Sequence, residues 1–164
     1  MAAWHDFFVA EVGASAALVG LLFVALSINV TQILKYPWLP ARGAQTLVVL
    51  TGALVEASLL LLPGFVKPVA AALIACAAIA WALSLRLVLS FVGGLASQLE
   101  ISVPRSWTWG YFALAQVATV PPIVGGAILF SGNPAGNYWI AGGLLCAFIF
   151  ALGNSWILLI EILR

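Results

Sequence analysis

The sequence predicts an all-α membrane protein: a polytopic bundle of five transmembrane helices, its N-terminus outside and its C-terminus inside. Three observations predict it. They are an extreme apolar composition, five long apolar segments divided by Pro, Gly and Asn clusters, and a lopsided distribution of lysine and arginine.

Of 164 residues, 65% belong to the AVILMFWYC set and only 7% are charged. A soluble domain carries roughly 45–50% apolar and about 25% charged residues. Mean hydropathy is +1.19. Six Lys and Arg and five Asp and Glu are too few to coat a water-exposed surface. This excludes a soluble globular domain, a disordered chain and a nucleic-acid binder, which needs a basic face. Residues 1–164 read as one membrane-embedded domain, with the lipid bilayer as its first partner. The opening Met1-Ala-Ala-Trp-His-Asp6 holds an acid and no Lys or Arg. A signal peptide begins with basic residues, so the first apolar segment is expected to remain in the mature protein.

A bilayer core about 30 Å thick needs roughly 20 apolar residues in a helix. The first helix is expected over 8–33. The second spans 43–62, after the break Lys35-Tyr-Pro-Trp-Leu-Pro40. The third spans 69–92, with Pro68 at a helix-start position. The fourth spans 107–130, after Pro104, and the fifth 138–163, after Ser131-Gly-Asn-Pro-Ala-Gly-Asn137. A long loop is expected between Gly93 and Ser106. The segments lack the polar–apolar alternation of a β-barrel. Five helices do not divide into two inverted halves.

Lys35, Arg42, Arg86, Arg105 and Arg164 fall on one side and Lys67 alone on the other. The richer side is expected to be cytoplasmic. Trp4, Tyr36, Trp38, Trp107, Trp109, Tyr111, Tyr138 and Trp139 sit near the expected boundaries, whereas Trp81 is mid-helix and reads as a packing residue. A bacterial inner membrane is the expected location.

No catalytic signature, metal-ligand cluster or Gly-rich phosphate loop is visible, so neither an enzyme nor a bound cofactor or metal is expected. His5 reads as a wet interfacial residue beside Asp6. Cys76 and Cys146 lie at similar depths and read as small buried apolar groups. The informative residues are polar groups inside the hydrocarbon, where a charge costs roughly 2.5–3.5 kcal/mol on insertion scales. Glu56 stands about 10 Å below the outer surface, with Gly52 and Gln45 on its face. It serves either as interhelical glue or as a carrier of protons or ions. Glu11 and Asn29 are five turns apart on one stripe of the first helix, with Ser15 and Leu22 between them. Glu11 also suits the positive end of the helix dipole. Arg86, Asn154, Asn29 and Glu161 are expected at similar inner depths, as one polar cluster. Gly143 and Ala147, and Gly13 and Ala17, are small pairs that allow close helix packing. Pro121 and Pro122 interrupt the fourth helix as a hinge, with Gln116 and Thr119 as partners for the freed carbonyls of Val117 and Ala118.

The stretch Glu11-Val-Gly-Ala-Ser-Ala-Ala-Leu-Val-Gly-Leu-Leu-Phe-Val-Ala-Leu-Ser-Ile-Asn29, followed by Leu39-Pro-Ala-Arg42, resembles small bacterial membrane proteins, some labelled modulators of FtsH protease. That resemblance implies a regulatory partner of a membrane complex. Two functions follow. One is a homo-oligomeric ion channel or proton- or cation-transport protein using Glu56, Glu11, Asn29, Arg86 and Asn154. The other is an accessory or regulatory subunit of a larger membrane complex, such as a protease or respiratory complex.

Overall fold

A computed structural model describes residues 2–36, 39–64, 66–98 and 105–163, with side chains described for 4–36, 39–64, 66–90 and 109–158. Among the described residues the chain forms helices and their connecting turns. They are α1 (Ala2–Ile28), α2 (Val30–Ile33), α3 (Leu39–Leu60), α4 (Val66–Gln98), α5 (Arg105–Phe130) and α6 (Gly136–Leu163). All but the single-turn α2 contain spans of 22 to 25 residues long and apolar enough to cross a membrane. At about 1.5 Å per residue, 22 residues reach roughly 33 Å, which matches the hydrocarbon thickness.

The helices run past several expected ends. α1 begins at Ala2 rather than near residue 8. Its first turn is tied down by aromatic packing: the Trp4 ring meets Tyr138 of α6 edge-on at 4.8 Å and stacks on Phe8 at 6.0 Å. α4 continues through Gly93-Gly94 to Gln98, where a loop was expected. A helical glycine costs only about 1 kcal/mol relative to alanine, too little to end a long apolar helix. The rest of that expected loop, 99–104, lies outside the described residues. α1 ends at Ile28, short of the expected residue 33: Asn29, at φ −100° and ψ 12°, leaves the helical region, and the single-turn α2 follows. The α5–α6 turn needs Gly132, at φ +90°, where a side chain is strained.

α3 is the hub, packing on α1, α4 and α6. α4, α5 and α6 then pack in chain order, so α3–α6 close a four-helix bundle and α1 lies outside it against α3. Val49, Ala53, Ala57, Leu73, Ala118, Leu144 and Phe150 form the shared core. Glycines set the closest crossings. A Cβ at Gly143 would lie 2.5 Å from Pro122 Cδ, and one at Gly126 2.7 Å from Ile74 Cγ1. Pro121 and Pro122 remain inside a continuous α5, with Pro122 buried against α6. Gly143 and Ala147 thus face a close helix contact. Gly13 and Ala17 do not: both lie on the exposed face of α1, and a Cβ at Gly13 meets nothing within 4 Å.

Candidate functional site

The first turns of α3 place Arg42, Gln45, Thr46 and Val49 at i, i+3, i+4 and i+7, one stripe of a helix. All four are buried. In a membrane that stripe must find polar partners on neighbouring helices. Asn154 of α6 supplies the first. Arg42 Nε donates to Asn154 Oδ1 at 2.5 Å, and Asn154 Nδ2 donates to Thr46 Oγ1 at 2.6 Å. Tyr111 of α5 supplies the second: its hydroxyl donates to Gln45 Oε1 at 2.5 Å and its ring lies 5.4 Å from Arg42 Cζ. Gln45 Nε2 reaches Ser84 Oγ of α4 at 3.2 Å. One connected network therefore links every helix of the four-helix bundle. Guanidinium over an aromatic face adds a further attraction, worth about 2 kcal/mol when desolvated.

Three turns further along α3, on the same face as Gln45, stands Glu56. It is 5% exposed and forms no hydrogen bond or ion pair with the described residues. Its Oε1 sits 3.8 Å from the position a Cβ would take on Gly52, beside the crossing with Ala80 of α4. Gly52 thus makes room both for the α3–α4 approach and for the carboxyl. Between Glu56 and the network the stripe is apolar, with Val49 and Ala53 fully enclosed.

α1 contributes a second buried acid. Phe8, Glu11, Ser15 and Leu22 form its buried stripe. Beyond it, at the N-terminal end of α1, a cavity of about 540 Å³ opens between the start of α1, the α3–α4 turn and the start of α6. Trp4, His5, Asp6, Phe8, Pro63 and Asn137 are among its walls. His5 Nδ1 and Asp6 Oδ1 are 3.4 Å apart and both side chains are exposed.

The expected inner cluster forms differently. Asn154 belongs to the buried network, but with Arg42 rather than with Asn29 or Arg86. Asn29 Nδ2 turns back to Ala25 O at 2.9 Å, and Arg86 is exposed on α4. The side chains of Glu161 and Arg105 lie outside the described residues. Gln116 Oε1 accepts from Trp81 Nε1 at 2.7 Å, and Thr119 Oγ1 donates to Ala115 O. Neither group reaches the carbonyls of Val117 or Ala118. Cys76 and Cys146 are free thiols that line separate grooves, α3–α4 and α5–α6.

Sequence reasoning missed Arg42, Thr46, Ser84 and Tyr111. Arg42 read as a loop cation and Tyr111 as a boundary aromatic. The signal that marks them is the polar i, i+3, i+4 spacing of Arg42, Gln45 and Thr46 at the head of an apolar helix.

No protein-family model, no curated protein and no solved structure matches this chain.

Proposed function

We propose that this chain is a homo-oligomeric protein of a bacterial cytoplasmic membrane, N-terminus outside, that passes protons or small cations through the interior of its helical bundle. The observation that carries the reading is Glu56: a buried carboxyl without a protein partner, on the face of α3 that leads three turns inward to the Arg42 network. A carboxyl that serves only as glue needs an interhelical partner, and Glu56 has none among the described residues. An ionisable group held inside the hydrocarbon marks an ion or proton path. Glu56 takes the proton or cation that enters from the outer side. The hydroxyls and amides of Tyr111, Gln45 and Asn154 form the inner station. Val49 and Ala53 between them are the dry barrier that a transient water chain must cross. Glu11 sits on the outer approach. Asn29 and Arg86, on the surface of one chain, serve the inner mouth between protomers.

A second reading, an accessory or regulatory subunit, is favoured by one observation. The face of α1 with Gly13, Ala17 and Gly20 is exposed and open, as a helix awaiting another helix would be. The resemblance of the α1 sequence to modulators of a membrane protease supports the same reading.

Flux in proteoliposomes separates the two. Glu56→Gln keeps the shape and cannot ionise, so the variant should fold while proton or cation flux is lost or changes its pH dependence. Wild-type liposomes that pass no ion across a range of pH and voltage remove the permeation reading and leave the subunit one.

A further inference from the structure

Serines and threonines in apolar helices commonly donate to the carbonyl one turn back. This chain follows that habit at Ser27, Thr46, Ser58, Ser90 and Thr119, each bonded to the residue four positions earlier. Ser15 departs from it. Its Oγ is fully enclosed and bonds to nothing among the described residues, although the carbonyl of Glu11 stands at the same spacing. Glu11 Oε2, one turn away on the same buried stripe, is likewise enclosed and without a partner. Two buried oxygens one helical turn apart, both left unsatisfied, are rare in a native fold, and each one costs free energy unless something fills its coordination.

We infer that Glu11 and Ser15 form the protein part of a site for a monovalent alkali cation, sodium in the first instance, at the junction of α1 and the bundle. Both donors are hard oxygens, which suit alkali and alkaline-earth ions rather than transition metals. One carboxylate neutralises one positive charge. A divalent ion would leave a net charge inside the hydrocarbon, where it is costly. Access comes from the outer cavity, because Phe8 lines that cavity and lies one turn above Glu11 on the same stripe. Asp6 at the mouth attracts cations. The elements packed against this part of α1 bring few competing charges: Glu56 on α3, and on the outer half of α6 only Tyr138, whose ring meets Trp4. The site deepens the permeation reading, on which its role as an outer loading station rests. Its existence is tested by binding alone.

Radioactive sodium binding to the full chain in lipid nanodiscs is the test. Saturable binding is expected at one ion per chain, displaced by unlabelled sodium and lithium and weakened as protons compete at falling pH. Glu11→Gln should abolish it, and Ser15→Ala should weaken it by about tenfold, a loss of roughly 1.4 kcal/mol. No saturable sodium binding at any pH overturns the inference, as does binding that survives Glu11→Gln undiminished. If Glu11→Gln fails to fold, Ser15→Ala and proton competition in the wild type decide, and binding indifferent to both overturns the site. Sodium binding without ion flux keeps the site and removes the permeation function; flux without sodium binding does the reverse.

Discussion

Asn154 and Arg42, 112 positions apart, hold each other in the interior of the bundle: the guanidinium Nε donates to the amide oxygen at 2.5 Å while the same amide nitrogen donates to Thr46 at 2.6 Å. The pair joins α6 to α3 where α3 begins. A buried arginine is tolerated there because its Nε meets an oriented acceptor and the Tyr111 ring lies over its guanidinium. The contact ties α6 to the head of α3.

Removing that amide should be costly. Asn154→Ala leaves Arg42 Nε and the Thr46 hydroxyl short of a partner, a loss of about 1–3 kcal/mol for the buried groups. A lowered melting temperature in detergent is expected. Asn154→Asp, which keeps the acceptor and adds a counter-charge to Arg42, should retain most of the stability. Equal melting temperatures for Asn154→Ala and wild type would show that the contact contributes nothing.

The α5–α6 crossing should reject any side chain at Gly143. A Cβ there already meets Pro122 Cδ at 2.5 Å and Pro121 Cβ at 3.3 Å. Proline rings cannot swing away as a flexible side chain can. Gly143→Ala should cost about 1–3 kcal/mol through overpacking, and Gly143→Leu should cost more or disrupt folding. Gly13→Ala, on the open face of α1, should leave the melting temperature of the monomer unchanged or raise it slightly, since alanine favours the helix. Thermal unfolding of the three variants side by side checks the contrast.

The bond between Trp81 and Gln116 is a smaller lever. Trp81→Phe keeps most of the ring volume and removes only the indole donor to Gln116 Oε1. Hydrogen bonds between membrane helices average about 0.6 kcal/mol, so a small loss of stability is expected. A melting temperature reduced as much as in Asn154→Ala would contradict this ranking of the two contacts.

Orientation is checked by cysteine accessibility in a background lacking Cys76 and Cys146. The five-to-one split of basic residues predicts position 135 outside and positions 102 and 164 inside. An impermeant reagent applied to intact cells should label a cysteine at 135 and spare one at 102. Labelling of 102 would invert the topology.

At Glu56, the pair Glu56→Gln and Glu56→Leu distinguishes chemistry from packing. If the carboxyl carries protons or cations, both variants lose flux, and the glutamine variant keeps wild-type stability. If it acts as glue, only the leucine variant, which loses hydrogen bonding, should change, and the change should be in stability. Flux assays and melting curves on the same preparations read out both outcomes.

The five helices long and apolar enough to cross a membrane needed nothing beyond the amino-acid sequence. Hydrocarbon demands internal satisfaction of every backbone polar group, so about 20 apolar residues between Pro, Gly and Asn clusters have one viable form. The inward face of Gly143 and the burial of Glu56 and Glu11 were legible for the same local reason, their helical spacing among small or apolar residues. Helix ends were legible only in part. The Trp4 contact with Tyr138 and the persistence of α4 through Gly93-Gly94 depend on tertiary packing and on penalties too small to break a helix. Which polar groups meet was decided by the tertiary structure alone. Arg42, Tyr111, Ser84 and Asn154 lie on four helices, and depth along each helix places them at similar levels without saying which faces turn together. Depth equally suited Asn29 and Arg86, but Asn29 bonds back to its own helix and Arg86 is left exposed. A hydrogen bond needs direction as well as depth, and direction is set by the rotation of each helix against its neighbours, which no single segment encodes.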